Sequence, residues 1–183
     1  MITDYSPAQQ KLVQGFFNAE GEEIYLRACS LLPDKPIVVE IGSNVGGTAC
    51  LMGIQVQKKQ GIYFSLDNQS EAHIYGDPLH NLKLFHKNMT EAGLLDTVVQ
   101  VFTNSNTCDW HPSLNPHLLF VDGNHSEEGV QEDCDNWIKR VRPKGLIMFH
   151  DWEFPSVKST VIKNTHSFVK VFETYKCVLF QKA

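Results

Sequence analysis

Residues 37–41 read IVVEI, a run of β-branched residues interrupted by one acid, Glu40, and the chain then passes through Gly42, Gly46 and Gly47. A short apolar run ended by a turn signal describes a strand buried on both faces, the kind found in parallel sheets. The glycines describe a backbone that swings sharply and lets a ligand approach closely before a helix begins. Strand, glycine turn and helix together form the opening unit of an open α/β sheet, which binds ligands outside the carboxyl ends of its strands. The spacing is not GxGxxG, and a carboxylate before the first glycine repels a pyrophosphate. A ligand with an amine and a ribose and no phosphate suits the turn better.

The rest of the chain continues the alternation. A helix is expected over 47–58, a strand over 62–66, a helix over 78–92, strands over 98–102 and 118–121, a helix over 127–141 and a strand over 146–149. Strands alternating with helices imply a parallel sheet with right-handed crossovers. Two further strands, 168–172 and 177–180, are joined only by the short link 173–176 and predict a closing antiparallel hairpin. Helical spacing over 7–17 and 20–31, ended by Pro33, Asp34 and Pro36, places two helices before the sheet. The expected fold is α/β and Rossmann-like, a mostly parallel seven-stranded sheet with a C-terminal antiparallel hairpin. It forms one domain over 1–183, with the helices of 1–35 helping to cover the site.

Charge narrows the partners. Sixteen Lys and Arg against 21 Asp and Glu give a formal net charge of -5, which argues against a broad phosphate-binding surface. The cluster Lys139, Arg140, Arg142 and Lys144 reads as the solvated end of a helix. No apolar run is long enough to span a bilayer and no leader pattern opens the chain, so a cytoplasmic protein is expected. The five cysteines, Cys29, Cys50, Cys108, Cys134 and Cys177, are widely spaced and never form CxxC. They read mostly as small buried hydrophobes.

Asp67 ends the second expected strand, where an acid can accept hydrogen bonds from both ribose hydroxyls. With EIGSNVGGT at 40–48, Asp67, the segment FHKNMTEAGLLDTVVQVFTNSN at 85–106 and LLFVDGNHSEEGVQEDCDNWIKRVRPKGLIMFHDW at 118–152, the sequence resembles the class I S-adenosylmethionine-dependent methyltransferases. More narrowly it is similar to methyltransferase family 24 and to the metal-dependent macrolide-sugar, cephalosporin-type and catechol-type O-methyltransferases. The DGNHS and GLIMFHDW blocks carry that narrower match. The resemblance implies that Glu40 and the turn residues Gly42, Ser43, Asn44, Gly46, Gly47 and Thr48 hold the methionine part of the donor. By the same resemblance Asp67 holds the ribose, Ser105 and its neighbours line the adenine, and Asp122 borders the donor. Asn88 matches a frequent family position but reads as a polar helix-face residue, and Trp110 as a core or surface aromatic rather than a cover for the base.

Asp122 and Asp151 end the fourth and fifth expected strands and so share the ligand-binding rim. Two carboxylates converging there can bind a hard divalent cation such as Mg²⁺ or Mn²⁺. The resemblance implies Asp122 as a ligand, followed by an adjacent pair that here is His150 and Asp151. An imidazole in that pair departs from the relatives' acid and favours Mn, Fe or Zn over Mg²⁺. The alternative is that Asp151 caps the following helix while His150 packs in the rim. His125, in a turn on the same rim, is suited to take a proton near neutral pH, and the resemblance implies His125 and Asp122 as the catalytic pair. Ser126, Glu127 and Glu128 read as the N-terminal turn of the next helix.

The expected activity is transfer of the donor's methyl to a hydroxyl of a small molecule, a sugar, a phenol or a natural product. Metal assistance is expected, along with no nucleic acid, no membrane, and a homodimer left open. Two other readings stay open: a noncatalytic S-adenosylmethionine-binding protein, and an NAD(P)-dependent oxidoreductase on the same fold. The lid is expected from the N-terminal helices, the loop at 74–79, the loop after Asp151 or another subunit.

Overall fold

The computed structural model describes residues 5–16, 23–69 and 77–183. The sequence readings that fall on residues 17–22 and on 74–76 lie outside them. Helices α1 (Pro7–Phe16) and α2 (Glu23–Ser30) precede β1 (Ile37–Ile41), followed by α3 (Gly47–Lys58), β2 (Ile62–Leu66), α4 (Pro78–Ala92) and β3 (Val98–Val101). Then come β4 (Leu118–Val121), α5 (Glu127–Trp137), β5 (Leu146–Phe149), α6 (Pro155–Asn164), β6 (Phe168–Glu173) and β7 (Val178–Lys182). The seven strands lie in the order β3-β2-β1-β4-β5-β7-β6. All pairings from β3 to β5 are parallel, and β7 is antiparallel to both its neighbours. The mostly parallel sheet and the closing hairpin are therefore present as expected.

Adjacent residues of β1 feed opposite layers, as a two-residue strand period requires. Val38 joins the core made with α1, α2, α3 and α4, whereas Val39 joins the core made with α5 and α6. All four residues of β4 and of β5 are buried, which is why these runs lack polar alternation. Strand order reverses at β1 and β4, so the crevice of an open sheet opens between their carboxyl ends.

Several elements differ from expectation, with β6 running on to Glu173 and β7 lying over Val178–Lys182. The helix after Ser126 ends at Trp137, and a 3-10 turn, Ile138–Arg140, replaces its last turn. Strand β3 stops at Val101, with Phe102 exposed. Helix α6 was absent from the expected element order, although the alternative role for Asp151 presupposed a helix after it. Its Val157, Thr160, Val161 and Ile162 favour strands intrinsically, but Pro155 at its first turn and a buried face of Val157, Thr160 and Val161 hold it helical. The basic cluster is also less solvated than its composition suggests. The Arg140 guanidinium lies 4.6 Å over the Trp137 ring, and Arg142 Nε donates to the Asn115 carbonyl at 2.7 Å.

All five cysteines are free thiols, four of them buried and Cys108 half-buried. Burial pushes Cys29, Cys50, Cys134 and Cys177 up to about 12, which removes them as thiolate nucleophiles near neutral pH. Among the described residues no helix is long and apolar enough to cross a membrane.

Candidate functional site

A cavity of about 430 Å³ opens at the carboxyl ends of β1, β2, β4 and β5. Gly42, Asn44, Asp67, Ser105, Asp122, His125, His150 and Asp151 all line it. One space thus gathers residues that the sequence scatters over more than half its length.

The glycine turn is built by contact as well as by flexibility. Gly42 has φ +83°, and a Cβ there would fall 2.0 Å from the Asp122 carbonyl oxygen, so the β1 and β4 ends meet at a distance only glycine allows. Gly46, φ +85°, is pressed by Phe85 and Met89 of α4, which would lie 2.8 and 2.9 Å from an added Cβ. Between them Asn44 takes φ +45° and is held from several sides. Its N–H donates to Asp67 Oδ2 at 2.7 Å, Gln69 Nε2 donates to its carbonyl at 3.2 Å, and Asn81 Nδ2 donates to its Oδ1 at 3.2 Å. The other Asp67 oxygen accepts from the Gln69 N–H at 2.6 Å. Asn88 corrects its own reading: it is 9% exposed, and its Nδ2 donates to the Val45 carbonyl at 2.8 Å. It pins the turn rather than decorating a helix face.

Glu40, Ser43, Gly46, Gly47 and Thr48 do not line the cavity. Glu40 is 1% exposed, and its Oε2 accepts from Ser65 Oγ at 3.0 Å beneath the turn. Burial, reinforced by the nearby Asp122, pushes its carboxyl well above the ordinary range. Ser43 is buried, and its Oγ has no hydrogen-bond partner among the described residues.

At the far end, Ser105 Oγ donates to Asp133 Oδ1 at 2.9 Å, and Trp137 Nε1 donates to the Ser105 carbonyl at 3.1 Å. Asp133 is 3% exposed and lines the cavity. Burial raises its carboxyl to about 6, against a smaller lowering by the Ser105 hydroxyl. Sequence reasoning did not single it out, because it is one of several acids in α5 and nothing in the spacing tells which one faces inward. Trp110 packs edge-on to Phe64, with ring centroids 5.2 Å apart, and against Trp137 at 5.1 Å. It is half-buried against the core and does not line the cavity.

The reacting end is a knot of two imidazoles and two carboxylates. His150 Nδ1 lies 3.1 Å from Asp122 Oδ1 and 3.1 Å from Asp151 Oδ2, and His125 Nδ1 lies 2.6 Å from that same Asp151 oxygen. Burial alone would lower the His150 pKa, but the two carboxylates outweigh it and push the ring up to about 10. Burial raises Asp122, an effect that the His150 ring only partly offsets. For Asp151 burial is outweighed by the two imidazoles, and its carboxyl is lowered. The alternative role for Asp151 is overturned: it has φ +53°, the N-cap of α6 is Phe154, and no side chain caps that helix. Ser126 does cap α5, its Oγ accepting from the Gly129 N–H at 3.1 Å, with Glu127 and Glu128 in the first turn. Ser156 Oγ donates to the His125 carbonyl at 3.0 Å, and the Phe154 ring lies 6.1 Å from the His125 ring.

The donor atoms of Asp122, His150 and Asp151 all lie within 4.8 Å of one another. Adjacent ligands of an octahedral ion with bonds of about 2.1 Å stand about 3.0 Å apart, close to both His150 contacts. The N,O,O set is of a kind that can hold Mn²⁺ or Fe²⁺ as well as Mg²⁺.

Comparison with known proteins agrees with this geometry. The methyltransferase domain family Methyltransf_24 matches residues 39–152, which spans both the glycine turn and the His150–Asp151 pair. The fold is similar to cofactor-bound Rv0187 from MTB at 16% identity, covering 99% of this chain and 92% of that one with TM-score 0.69. It is similar to the O-methyltransferase TomG from Streptomyces achromogenes, solved with SAM, at 13% identity, covering 100% and 93% with TM-score 0.66. It is also similar to the tRNA methyltransferase TrmI from Aquifex aeolicus at 13% identity, covering 98% and 77% with TM-score 0.70. A 36-residue stretch is 44% identical to the uncharacterized protein y4gI of Sinorhizobium fredii (strain NBRC 101917 / NGR234), a match spanning 20% of this chain and 4% of that protein. With a family match over most of its length and the seven-stranded order built around one glycine-turn cavity, this chain belongs to the Methyltransf_24 family and is a class I methyltransferase domain.

Proposed function

We propose that the protein transfers the methyl of S-adenosylmethionine to a hydroxyl oxygen of a small molecule, with a divalent cation at Asp122, His150 and Asp151. The observation that carries this reading is the shared cavity: the Asn44 turn and Asp67 line it together with the Asp122, His150 and Asp151 cluster. In this reading Asp67 accepts from the ribose hydroxyls, Ser105 and the loop around it border the adenine, and Gly42 and Asn44 meet the methionine part. Glu40 acts one layer down, supporting the turn through Ser65, and Ser43, Gly46, Gly47 and Thr48 shape it without facing the ligand.

Methyl transfer is a single displacement, so alignment of the acceptor oxygen with the methyl–sulfur bond supplies most of what a protein must provide. A bound cation polarises the acceptor oxygen and lowers its pKa. In this reading His125, held at Nδ1 by Asp151, takes the acceptor's proton. Asp151 stabilises the imidazolium that then forms. No described residue of α1 or α2 lines the cavity. Among the described residues the cavity lining contains no Lys or Arg to pair with a dinucleotide's pyrophosphate, which weighs against nicotinamide chemistry. A screen of hydroxyl acceptors with labelled donor, run with and without a chelator, tests the proposal. Labelled product that disappears on chelation supports it, and tighter binding of NAD than of S-adenosylhomocysteine overturns it.

A further inference from the structure

A second recess, of about 670 Å³, lies at the opposite, amino-terminal ends of β4 and β5. His117 immediately precedes β4 and lines this recess, whereas Asp122 immediately follows β4 and lines the other cavity. At about 3.3 Å per residue the strand sets the two roughly 16 Å apart. Leu31, 52% exposed, forms an apolar wall with Pro33, Pro112 and Pro143. His117, Arg142 and Lys144 are the ionisable lining, and among the described residues no Asp or Glu lines the recess. Half of the basic cluster seen in the sequence therefore faces a concavity.

The fold holds these three side chains in place and leaves each with a free donor. The His117 N–H donates to the Ile37 carbonyl at 2.8 Å, and its Nδ1 accepts from the Ile37 N–H at 2.9 Å. A neutral ring that accepts at Nδ1 carries its proton on Nε2, and among the described residues no acceptor meets that atom. Burial, followed by the nearby Arg142 charge, lowers the ring's pKa and keeps it neutral. Arg142 donates through Nε and Nη2 to the Asn115 and Ser113 carbonyls at 2.7 and 3.4 Å, which leaves its Nη1 open. A turn closed by the Gly145 N–H on the Arg142 carbonyl, at 2.9 Å, carries the exposed Lys144. Asp34, beside Pro33, is the acid nearest in sequence to the lining, and among the described residues no acid ion-pairs with Arg142 or Lys144.

An anion in this recess meets a guanidinium, an ammonium and an imidazole N–H with no carboxylate competing for them. A bare inorganic ion would leave the apolar wall in water, whereas an organic body covers it and gains from the burial. The volume is that of a small-molecule cavity. We propose that the recess is a second binding site, for a small carboxylate with an apolar body. It uses no residue of the methyl-transfer cavity and stands independently of the proposed function.

Calorimetry on the full chain at low salt, with benzoate, benzyl alcohol and inorganic phosphate as probes, tests the site. Benzoate is expected to bind at least about tenfold more tightly than either of the others and to weaken as salt rises. Lys144→Glu and Leu31→Asp, both at exposed positions, are each expected to lower benzoate affinity at least about tenfold while leaving the thermal midpoint unchanged. In the wild type, benzoate is expected to shift the His117 ring resonances, a readout that needs no substitution. Unaltered benzoate affinity in both variants overturns the inference, because the probe then sits elsewhere. Phosphate or benzyl alcohol binding as tightly as benzoate, an unshifted His117 ring, or no benzoate binding to the wild type overturns it equally.

Discussion

His125 Nδ1 lies 2.6 Å from Asp151 Oδ2, an oxygen that also sits 3.1 Å from His150 Nδ1. One carboxylate therefore links the expected base to the expected metal position. Replacing His125 with Ala is expected to lower turnover at least about a hundredfold, since general-base catalysis typically supplies 10² to 10⁴. S-adenosylhomocysteine affinity should stay within about threefold, because His125 lies at the reacting end. Single-turnover rates beside calorimetry separate the two effects, and a variant with wild-type turnover would remove His125 from the chemistry.

Asp122→Asn and His150→Ala each remove one of three converging ligand atoms. Mn²⁺ affinity is expected to fall by at least about tenfold in each, while donor-product affinity changes little. Unaltered Mn²⁺ binding in both variants would mean that any cation sits elsewhere.

Asp67 anchors the backbone of both Asn44 and Gln69, so Asp67→Ala removes a ligand acceptor and loosens the turn together. S-adenosylhomocysteine affinity is expected to fall at least about tenfold. Asn81→Ala, which removes the amide bond to Asn44 Oδ1 but leaves Asp67 in place, should cost less, about threefold. The reverse order of effects would show that the turn, and not the carboxylate, dominates donor binding.

Much of this arrangement was legible because strand ends and glycine turns leave strong local marks. The IVVEI run, the Gly42 to Gly47 spacing and the acids closing β2, β4 and β5 placed Asp67, Asp122 and Asp151 on one rim. Legibility failed where a residue's role depends on which way a helix faces. Asp133 is one acid among Glu132, Asp133 and Asp135, and only the packing of α5 turns it toward Ser105. Asn88 looked like surface until α4 met the turn, and Glu40 lies where a donor contact is expected but faces Ser65. Helix α6 was hidden by β-branched residues whose local preference tertiary packing overrides.

Asp133 gives a pH signature of its own. Its folded pKa of about 6 lies above the unfolded carboxyl value of about 3.9, so the folded state holds the proton more tightly. Its contribution to stability is therefore present at low pH, is lost as pH rises from about 4 to about 6, and is constant above that. Two units correspond to about 3 kcal/mol. Asp133→Asn should be more stable than the wild type at pH 7.5 by up to that amount and should lose the advantage near pH 4. Urea titrations of both proteins at the two pH values measure it. A pH-independent difference would contradict the assignment.

Methyl transfer from labelled S-adenosylmethionine to small hydroxyl compounds, followed before and after exhaustive chelation, tests metal-assisted O-methylation most directly. The expected result is label on a hydroxyl oxygen, at least about a hundredfold loss of rate on chelation, and recovery when Mn²⁺ is returned. Full turnover in the chelated protein, or label found only on nitrogen or carbon, would contradict it.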